Sequence, residues 1–146
     1  MRIAFLCKRH YTGKDVITDR FGRLYEIPHQ LALLGHEVKA WCLDYHGDKD
    51  EQSQHDLELR YLAWSSTALK GMRLLRLPAY LSKLKRDIEV FKPDIIIGAS
   101  DIPHVFLAAY VAKQLNTACV IDLYDNFEGF AQARIPCFKT LLKYAI

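Results

Sequence analysis

Short apolar runs alternate with longer amphipathic stretches along the chain. A short apolar run that is bounded by polar or turn-forming residues is typical of a buried strand. The polar segment 44–56 lacks such a run, and we predict a surface loop there. The pattern predicts strands at residues 2–8, 36–43, 57–64, 94–99 and 118–121.

The stretches between these strands have the apolar spacing of helices. Gly35 follows the first such stretch, where a helix commonly ends with glycine. Pro28 lies inside it and removes a helix hydrogen bond, so we expect a kink or a late start. The face of this helix is formed by Leu24, Ile27, Leu31 and Leu34. Further helices are predicted at 69–91, interrupted by Pro78, at 102–115, and from 138 onwards. In the second part of the helix over 69–91, an apolar stripe is formed by Leu77, Leu81, Leu84, Ile88 and Phe91.

Alternating strands and helices predict the fold class. Uninterrupted apolar strands indicate a parallel sheet that helices cover on both faces. We therefore predict a doubly wound, Rossmann-like α/β domain. Ligands of such domains bind beyond the carboxyl ends of the strands. The polar residues predicted at those ends are His10, Tyr11, Asp44, Ser100, Asp101 and the acidic segment 122–128.

Three carboxylates follow the last predicted strand, at Asp122, Asp125 and Glu128. Carboxylates near a sheet are costly unless they are solvated, paired or used. Asp122 still belongs to the strand, so we expect a structural role in which it pairs with an arginine. Asp125 and Glu128 either cap the following helix or face a ligand.

The composition is that of one ordinary globular domain. The chain has 146 residues, of which 51% are hydrophobic and 25% charged. A net charge of +3 is too small to indicate nucleic-acid binding by itself. The charge is local, however: residues 70–92 contain seven basic and two acidic residues (+5), which leaves −2 for the rest (3 − 5 = −2).

This basic segment has two interpretations. Two of its lysines have an acidic residue four positions later, so it could be a solvated, ion-paired helix face. The alternative is contact with an anionic membrane surface. The residues expected at such a surface are Lys83, Lys85, Arg86 and Lys92.

The cysteines show no metal or redox spacing. Cys7, Cys42 and Cys119 fall in strand-like runs and no C-x-x-C occurs, so reduced, buried thiols of a cytoplasmic protein are expected. No apolar run approaches the ~18 residues of a membrane span. We expect a cytoplasmic protein, peripheral at the membrane if the basic segment binds lipid, and we predict neither a metal nor a bound cofactor.

Three segments of the sequence resemble glycosyltransferases of the GT-B fold, specifically family 4 (group 1). Segment 21–38, FGRLYEIPHQLALLGHEV, is similar to the first helix of that family and its glycine-histidine-glutamate end. Segment 92–101, KPDIIIGASD, resembles its Lys-Pro-Asp strand, and segment 120–128, VIDLYDNFE, resembles the next strand with its acidic end. The order and spacing of the three segments match over nearly the whole chain.

The resemblance implies transfer of a sugar from a nucleotide-sugar to a glycan or lipid-linked saccharide. Family members have two facing domains, and residues 1–146 match only the amino-terminal, acceptor-side domain. The carboxyl-terminal domain, which binds the donor nucleotide, is absent from this chain. We therefore expect the chain alone to be inactive. The alternative is a self-contained doubly wound module that binds a small molecule or signals without catalysis.

The resemblance also implies roles for individual residues. Tyr124 occupies a position that is often histidine in the family, and we expect it to act with Asp125 and Glu128 as the catalytic group. The paired-glycine turn that approaches the donor phosphate in the family is missing, and a basic loop stands in its place. Contacts to the donor phosphate or the acceptor are expected from His10, Lys14, Arg20, Gly22, Arg23 and Asp101. For Asp101, helix capping is the competing role.

Overall fold

The fold is seen in a computed structural model of the chain that describes residues 1–57, 60–69 and 73–122. These residues form eight strands and three helices. In chain order the elements are β1 (Arg2–Lys8), β2 (His10–Tyr11), β3 (Lys14–Asp15), α1 (Arg23–Leu33), β4 (Glu37–Asp44), β5 (Glu51–Leu57), β6 (Arg60–Ala68), α2 (Arg73–Phe91), β7 (Ile95–Ala99), α3 (Ile102–Leu115) and β8 (Ala118–Asp122).

Six of the strands form one sheet in the order β5-β6-β4-β1-β7-β8. All neighbouring pairs are parallel except β5 and β6, which are antiparallel. The short strands β2 and β3 form a separate antiparallel hairpin. The prediction of an α/β domain with a mostly parallel sheet is confirmed, and this arrangement is compatible with a Rossmann-like fold.

Helices pack against both faces of the sheet. Side chains of β1 alternate, so that Phe5 and Cys7 join the core under α1, whereas Ala4 and Leu6 join the core under α2 and α3. From α1 the first core takes Leu24, Tyr25 and Ala32. From α2 and α3 the second takes Tyr80, Leu84, Ile88, Leu107, Ala108, Val111 and Ala112.

Gly98 lets α3 lie unusually close to β7. A Cβ atom added to Gly98 would be 2.5 Å from the Cβ of Ala108 and 3.0 Å from the carbonyl oxygen of His104. Such distances are too short for any side chain, so this strand position requires glycine. The close packing determines where the first turn of α3 meets the carboxyl end of the sheet.

The prediction of a loop over 44–56 is confirmed for residues 45–50 but was wrong for the part from residue 51, because Glu51–Leu57 forms strand β5. β5 lies at the edge of the sheet and pairs only with β6 among the described strands. Of its first five residues, Glu51, Gln52 and Gln54 are exposed, whereas Ser53 and His55 are half-buried. An edge strand needs little apolar surface, so its sequence carries no strong hydrophobic alternation.

Two predictions about the helices need correction. Helix α1 begins at Arg23 and contains Pro28, so the proline does not delay its start. In α2, Leu77 was predicted within the buried stripe but is 38% exposed. The rest of that stripe is confirmed, since Leu84 and Ile88 are buried and Leu81 and Phe91 pack against them. The helix predicted from residue 138 lies outside the described residues.

The cysteines differ in exposure. Cys7 and Cys42 are buried free thiols, as predicted. Burial raises the pKa of both thiols, that of Cys42 to about 12, so they stay protonated at neutral pH. The same prediction was wrong for Cys119, which is exposed because β8 lies at the edge of the described sheet.

Candidate functional site

The sheet has a topological switch beside its first strand. From β1 the chain proceeds to β4 and β6 on one side, and later returns to β7 and β8 on the other. In open α/β sheets, ligands bind at such a point, beyond the carboxyl ends of the strands. We refer to the space beyond the ends of β1 and β7, bordered by Lys8, Ser100 and Asp101, as the β1–β7 crevice.

A buried arginine organises the carboxyl edge next to this crevice. Arg9 directly follows β1 and is only 7% exposed. Its Nε donates to Oδ2 of Asp15 at 2.8 Å, and its Nη2 lies 2.6 Å from Oε2 of Glu51. Its Nη1 donates to Oγ of Ser66 at 3.3 Å and lies 3.7 Å from Oδ2 of Asp44. One cation therefore joins the β2–β3 hairpin to β4, β5 and β6.

Two of the carboxylates around Arg9, those of Asp15 and Asp44, have a lowered pKa. Burial alone would raise the pKa of Asp15, but backbone N–H groups of Thr18 and Ile17 and the Arg9 guanidinium lower it. Burial alone would also raise the pKa of Asp44, but hydrogen bonds from the backbone N–H groups of His46 and Gly47 lower it. The arrangement is a charged structural network rather than a set of groups open to a ligand.

His10 sits on this network. Its Nε2 lies 3.2 Å from Oδ1 of Asp44, and its ring meets that of His46 edge to face with centroids 5.4 Å apart. The side chain is 35% exposed, so one side of the ring faces solvent. The structure thus places His10 at the carboxyl edge, as the sequence predicted.

The start of α1 reaches the end of β8. Arg23, the first residue of α1, donates from Nη2 to Oδ1 of Asp122, the last residue of β8. This confirms that Asp122 pairs with an arginine. Gly22 precedes α1 and has a φ of 74°. A Cβ atom added to Gly22 would lie 3.3 Å from the ring of Tyr11. Arg20 and Lys14, also predicted to contact a ligand, are exposed in the preceding loop and hairpin.

The start of α3 carries an aspartate–histidine pair. Asp101 is the N-cap residue of α3, but its side chain makes no hydrogen bond to the backbone of the first turn. Instead its Oδ1 accepts a hydrogen bond from Nδ1 of His104, which is completely buried. Asp101 therefore occupies the predicted capping position without performing side-chain capping.

The position of Ser100 between β7 and α3 is strained. Its φ is 86°, a backbone conformation that residues with a Cβ rarely adopt, and its Oγ accepts a hydrogen bond from the backbone N–H of Lys8 at 3.3 Å. This bond fastens the end of β7 to the end of β1.

Three residues of the site, Arg9, Ser66 and His104, were not predicted from the sequence. Arg9 was counted only as part of a basic loop, and neither Ser66 nor His104 was assigned a ligand-related role. The signal available for Arg9 was its position directly after a fully buried strand. His104 follows Asp101 by three residues, the spacing at which two side chains share a helix face.

The basic residues of α2 are only partly available. Nζ of Lys83 lies 3.2 Å from Oδ2 of Asp50, so the expected pairing with Asp87 is replaced by a contact to the loop before β5. Lys85 is half-buried, whereas Arg86 and Lys92 are exposed. The amino-terminal half of α2 exposes apolar side chains as well, with Leu75 71% exposed.

The predicted catalytic residues Tyr124, Asp125 and Glu128 lie outside the described residues. Among residues 1–57, 60–69 and 73–122, no group of three or more histidine, cysteine or acidic side chains could hold a metal ion. No helix in the described part of the chain is both long and apolar enough to cross a bilayer. Neither models of known protein families nor curated proteins match the chain.

Proposed function

We propose that the chain is the amino-terminal, acceptor-side domain of a GT-B glycosyltransferase with a doubly wound sheet. The full enzyme would transfer a sugar from a nucleotide-sugar to a glycan or a lipid-linked saccharide. The donor nucleotide would bind to a second domain across a cleft, and the cleft would lie along the carboxyl edge described above. The proposal places the protein in the cytoplasm.

The observation that carries the proposal is the ion pair between Arg23 and Asp122. It joins residues 99 positions apart at one edge of the sheet. Arg23 belongs to the first segment that resembles the glycosyltransferases, and Asp122 belongs to the third. Asp125 and Glu128, the proposed catalytic carboxylates, follow Asp122 by three and six residues in the sequence.

The groups near the start of α1 suit an anionic donor. Gly22 offers no side-chain cap to the first turn of α1, where backbone N–H groups favour anions. Arg20 and Lys14 are exposed in the segments that lead to this turn, and both can bind phosphate oxygens. In the proposed enzyme these residues contact the donor phosphates when the second domain closes over the edge. This role does not require a metal.

We expect the 146-residue chain to fold cooperatively but to transfer no sugar, because the donor-binding domain is not part of it. Extension of the chain by a second α/β domain, about two hundred residues in GT-B enzymes, should restore transfer. The measurement is release of nucleoside diphosphate from a panel of nucleotide-sugars, with thermal unfolding followed on the same samples.

Turnover by the 146-residue chain would contradict the two-domain account. A longer protein that binds saccharides yet never releases nucleoside diphosphate would favour the alternative, a binding module without catalysis.

We also propose that α2 and the residue after it contact an anionic membrane surface through Lys85, Arg86 and Lys92, with Lys83 joining once its pair with Asp50 opens. Each basic residue near such a surface contributes about 1 kcal/mol. The protein should therefore sediment with anionic vesicles, and release as salt rises because screening shortens the reach of the charges.

The matched control for this experiment keeps the overall charge equal. The double variant Lys85→Glu and Arg86→Glu should lose vesicle binding, whereas Lys49→Glu with Lys113→Glu should keep most of it. The control residues are exposed outside α2. Equal binding by the two double variants, or equal binding to neutral vesicles, would show that α2 is an ordinary solvated helix.

A further inference from the structure

The β1–β7 crevice contains polar groups that the proposed donor contacts do not use. Asp101 and Lys8 border it from α3 and β1, and Tyr45, just after β4, has its ring edge-on to that of His104 at 6.4 Å. Burial raises the pKa of Tyr45 and the nearby charge of Asp101 raises it further, so the phenol stays protonated. A carboxylate, an ammonium and a neutral phenol thus meet at the topological switch.

The orientation of Asp101 depends on a buried ring. An aspartate at an N-cap ordinarily accepts hydrogen bonds from the first backbone N–H groups of its helix. Here the side chain does not do so, and Oδ1 is bound by Nδ1 of His104. The Asp101 side chain is nevertheless 31% exposed, while that of His104 is 0% exposed. The buried ring of His104 therefore fixes the position of the Asp101 carboxylate, which is partly exposed to solvent.

Asp101 is kept ionised by His104 and Lys8. Burial alone would raise its pKa, but the hydrogen bond and charge of His104 and the charge of Lys8 lower it. Between Lys8 and Asp101, both within the described residues, there is no ion pair within 4.0 Å. The Lys8 ammonium lies instead 5.5 Å from the centre of the Tyr11 ring. The charge of Lys8 therefore acts on Asp101 without a direct contact between the two groups.

We propose that Asp101 and Lys8 bind neighbouring hydroxyl groups of a saccharide in the β1–β7 crevice, and that His104 is the positioning residue that orients Asp101. A carboxylate accepts hydrogen bonds from hydroxyl groups and an ammonium donates to their oxygens, so the two groups can bind different hydroxyl groups of one saccharide. The saccharide as ligand class rests on the proposed function. The placement of Lys8 and Asp101 at the topological switch does not depend on the proposed function.

The first experiment is a titration of the protein with three methyl α-pyranosides, those of glucose, mannose and galactose, followed by amide NMR. At least one should shift the Lys8 and Asp101 signals saturably. Cyclohexanol, which has a ring of similar size and a single hydroxyl, should not. Asp101→Asn should weaken binding of that pyranoside by about tenfold or more, since it replaces charge-assisted hydrogen bonds by neutral ones.

Asp94→Asn is the matched control. Asp94 precedes β7 at the opposite edge of the sheet, where its Oδ2 accepts from the backbone N–H of Arg2 at 2.7 Å. Loss of this charge should leave pyranoside binding unchanged. An equal loss of binding in Asp94→Asn and Asp101→Asn would overturn the assignment of Asp101.

Two substitutions of His104 separate positioning from packing. His104→Asn keeps a donor near the position of Nδ1 but leaves a hole in the core, whereas His104→Phe fills the core but donates nothing. If His104 positions Asp101, His104→Phe weakens pyranoside binding about as much as Asp101→Asn does, and the pKa of Asp101 rises in that variant. His104→Asn retains binding. If His104 only packs, the Asn variant is the more damaged of the two, and that rank order overturns the proposal.

The outcomes for the crevice and for catalysis are distinct. Pyranoside binding that depends on Asp101 and His104, in a longer protein without sugar transfer, supports the site and contradicts the proposed function. Sugar transfer without any pyranoside effect on the Lys8 and Asp101 signals supports the proposed function and overturns this site.

Discussion

Replacing Arg9 by methionine should lower the free energy of unfolding by about 3–5 kcal/mol, the usual cost of removing one partner from a buried charge group. Methionine keeps the apolar stem of the side chain, so the effect comes mainly from the lost cation. Asp15 and Asp44, whose side chains are 17% and 6% exposed, would then remain near Glu51 without their shared partner. Denaturant unfolding at neutral pH measures the change.

The acid dependence of the same variant provides a second readout. The pKa of Asp15 and that of Asp44 are lowered in the folded protein, so both stabilise it above about pH 4 and lose that effect as pH falls through the folded pKa. The difference in free energy of unfolding between the wild type and Arg9→Met should therefore be largest at neutral pH. It should shrink in acid, where protonation of the carboxylates removes the repulsion between them.

Arg2→Met is the control for both readouts. Arg2 begins the same strand, is exposed, and donates one hydrogen bond from Nη1 to the carbonyl of Phe91 at 2.9 Å. Its loss should cost less than about 1 kcal/mol. An Arg9 variant no less stable than the Arg2 variant would show that the network contributes nothing to the fold.

The fold was predictable where apolar residues decide the structure. The spacing of apolar residues along the sequence predicts β1, β4, β7 and the buried faces of the helices. It does so because the apolar side chains must share one face of an element to be buried together. β5 was missed for the opposite reason. Its pairing with β6 depends on backbone hydrogen bonds and on polar side chains such as Ser53 and His55, which leave no apolar pattern.

The candidate site was predictable in position and only partly in its contacts. The carboxyl edge follows from strand order, and the arginine partner of Asp122 follows from the cost of a buried carboxylate. The identity of that partner does not, because Arg23 is 99 residues away and meets Asp122 only once the sheet has formed. Arg9 was overlooked for the same reason, since its partners come from four different elements.

Asp125→Asn should lower sugar transfer by the longer enzyme well over tenfold, which corresponds to more than about 1.4 kcal/mol of transition-state stabilisation. In the proposed enzyme Asp125, with Glu128 and Tyr124 beside it, accepts a hydrogen bond from an acceptor hydroxyl and holds it for attack. Positioning of this kind carries a large part of catalysis. An asparagine side chain retains the size but not the charge, so the melting temperature should change little.

Asp122→Asn is the matched substitution three residues earlier in the sequence. It weakens the ion pair with Arg23, a partly exposed contact that contributes about 1 kcal/mol, and should lower the melting temperature by a few degrees. Since Asp122 is assigned to structure, turnover per folded molecule should stay near that of the wild type.

The most direct measurement is turnover per folded molecule of these two variants, with melting temperatures taken on the same preparations. The account predicts that Asp125→Asn melts like the wild type and transfers sugar well over tenfold more slowly, while Asp122→Asn melts earlier and keeps its turnover. An Asp125→Asn enzyme that melts early yet keeps its turnover would contradict the account and make Asp125 a helix cap.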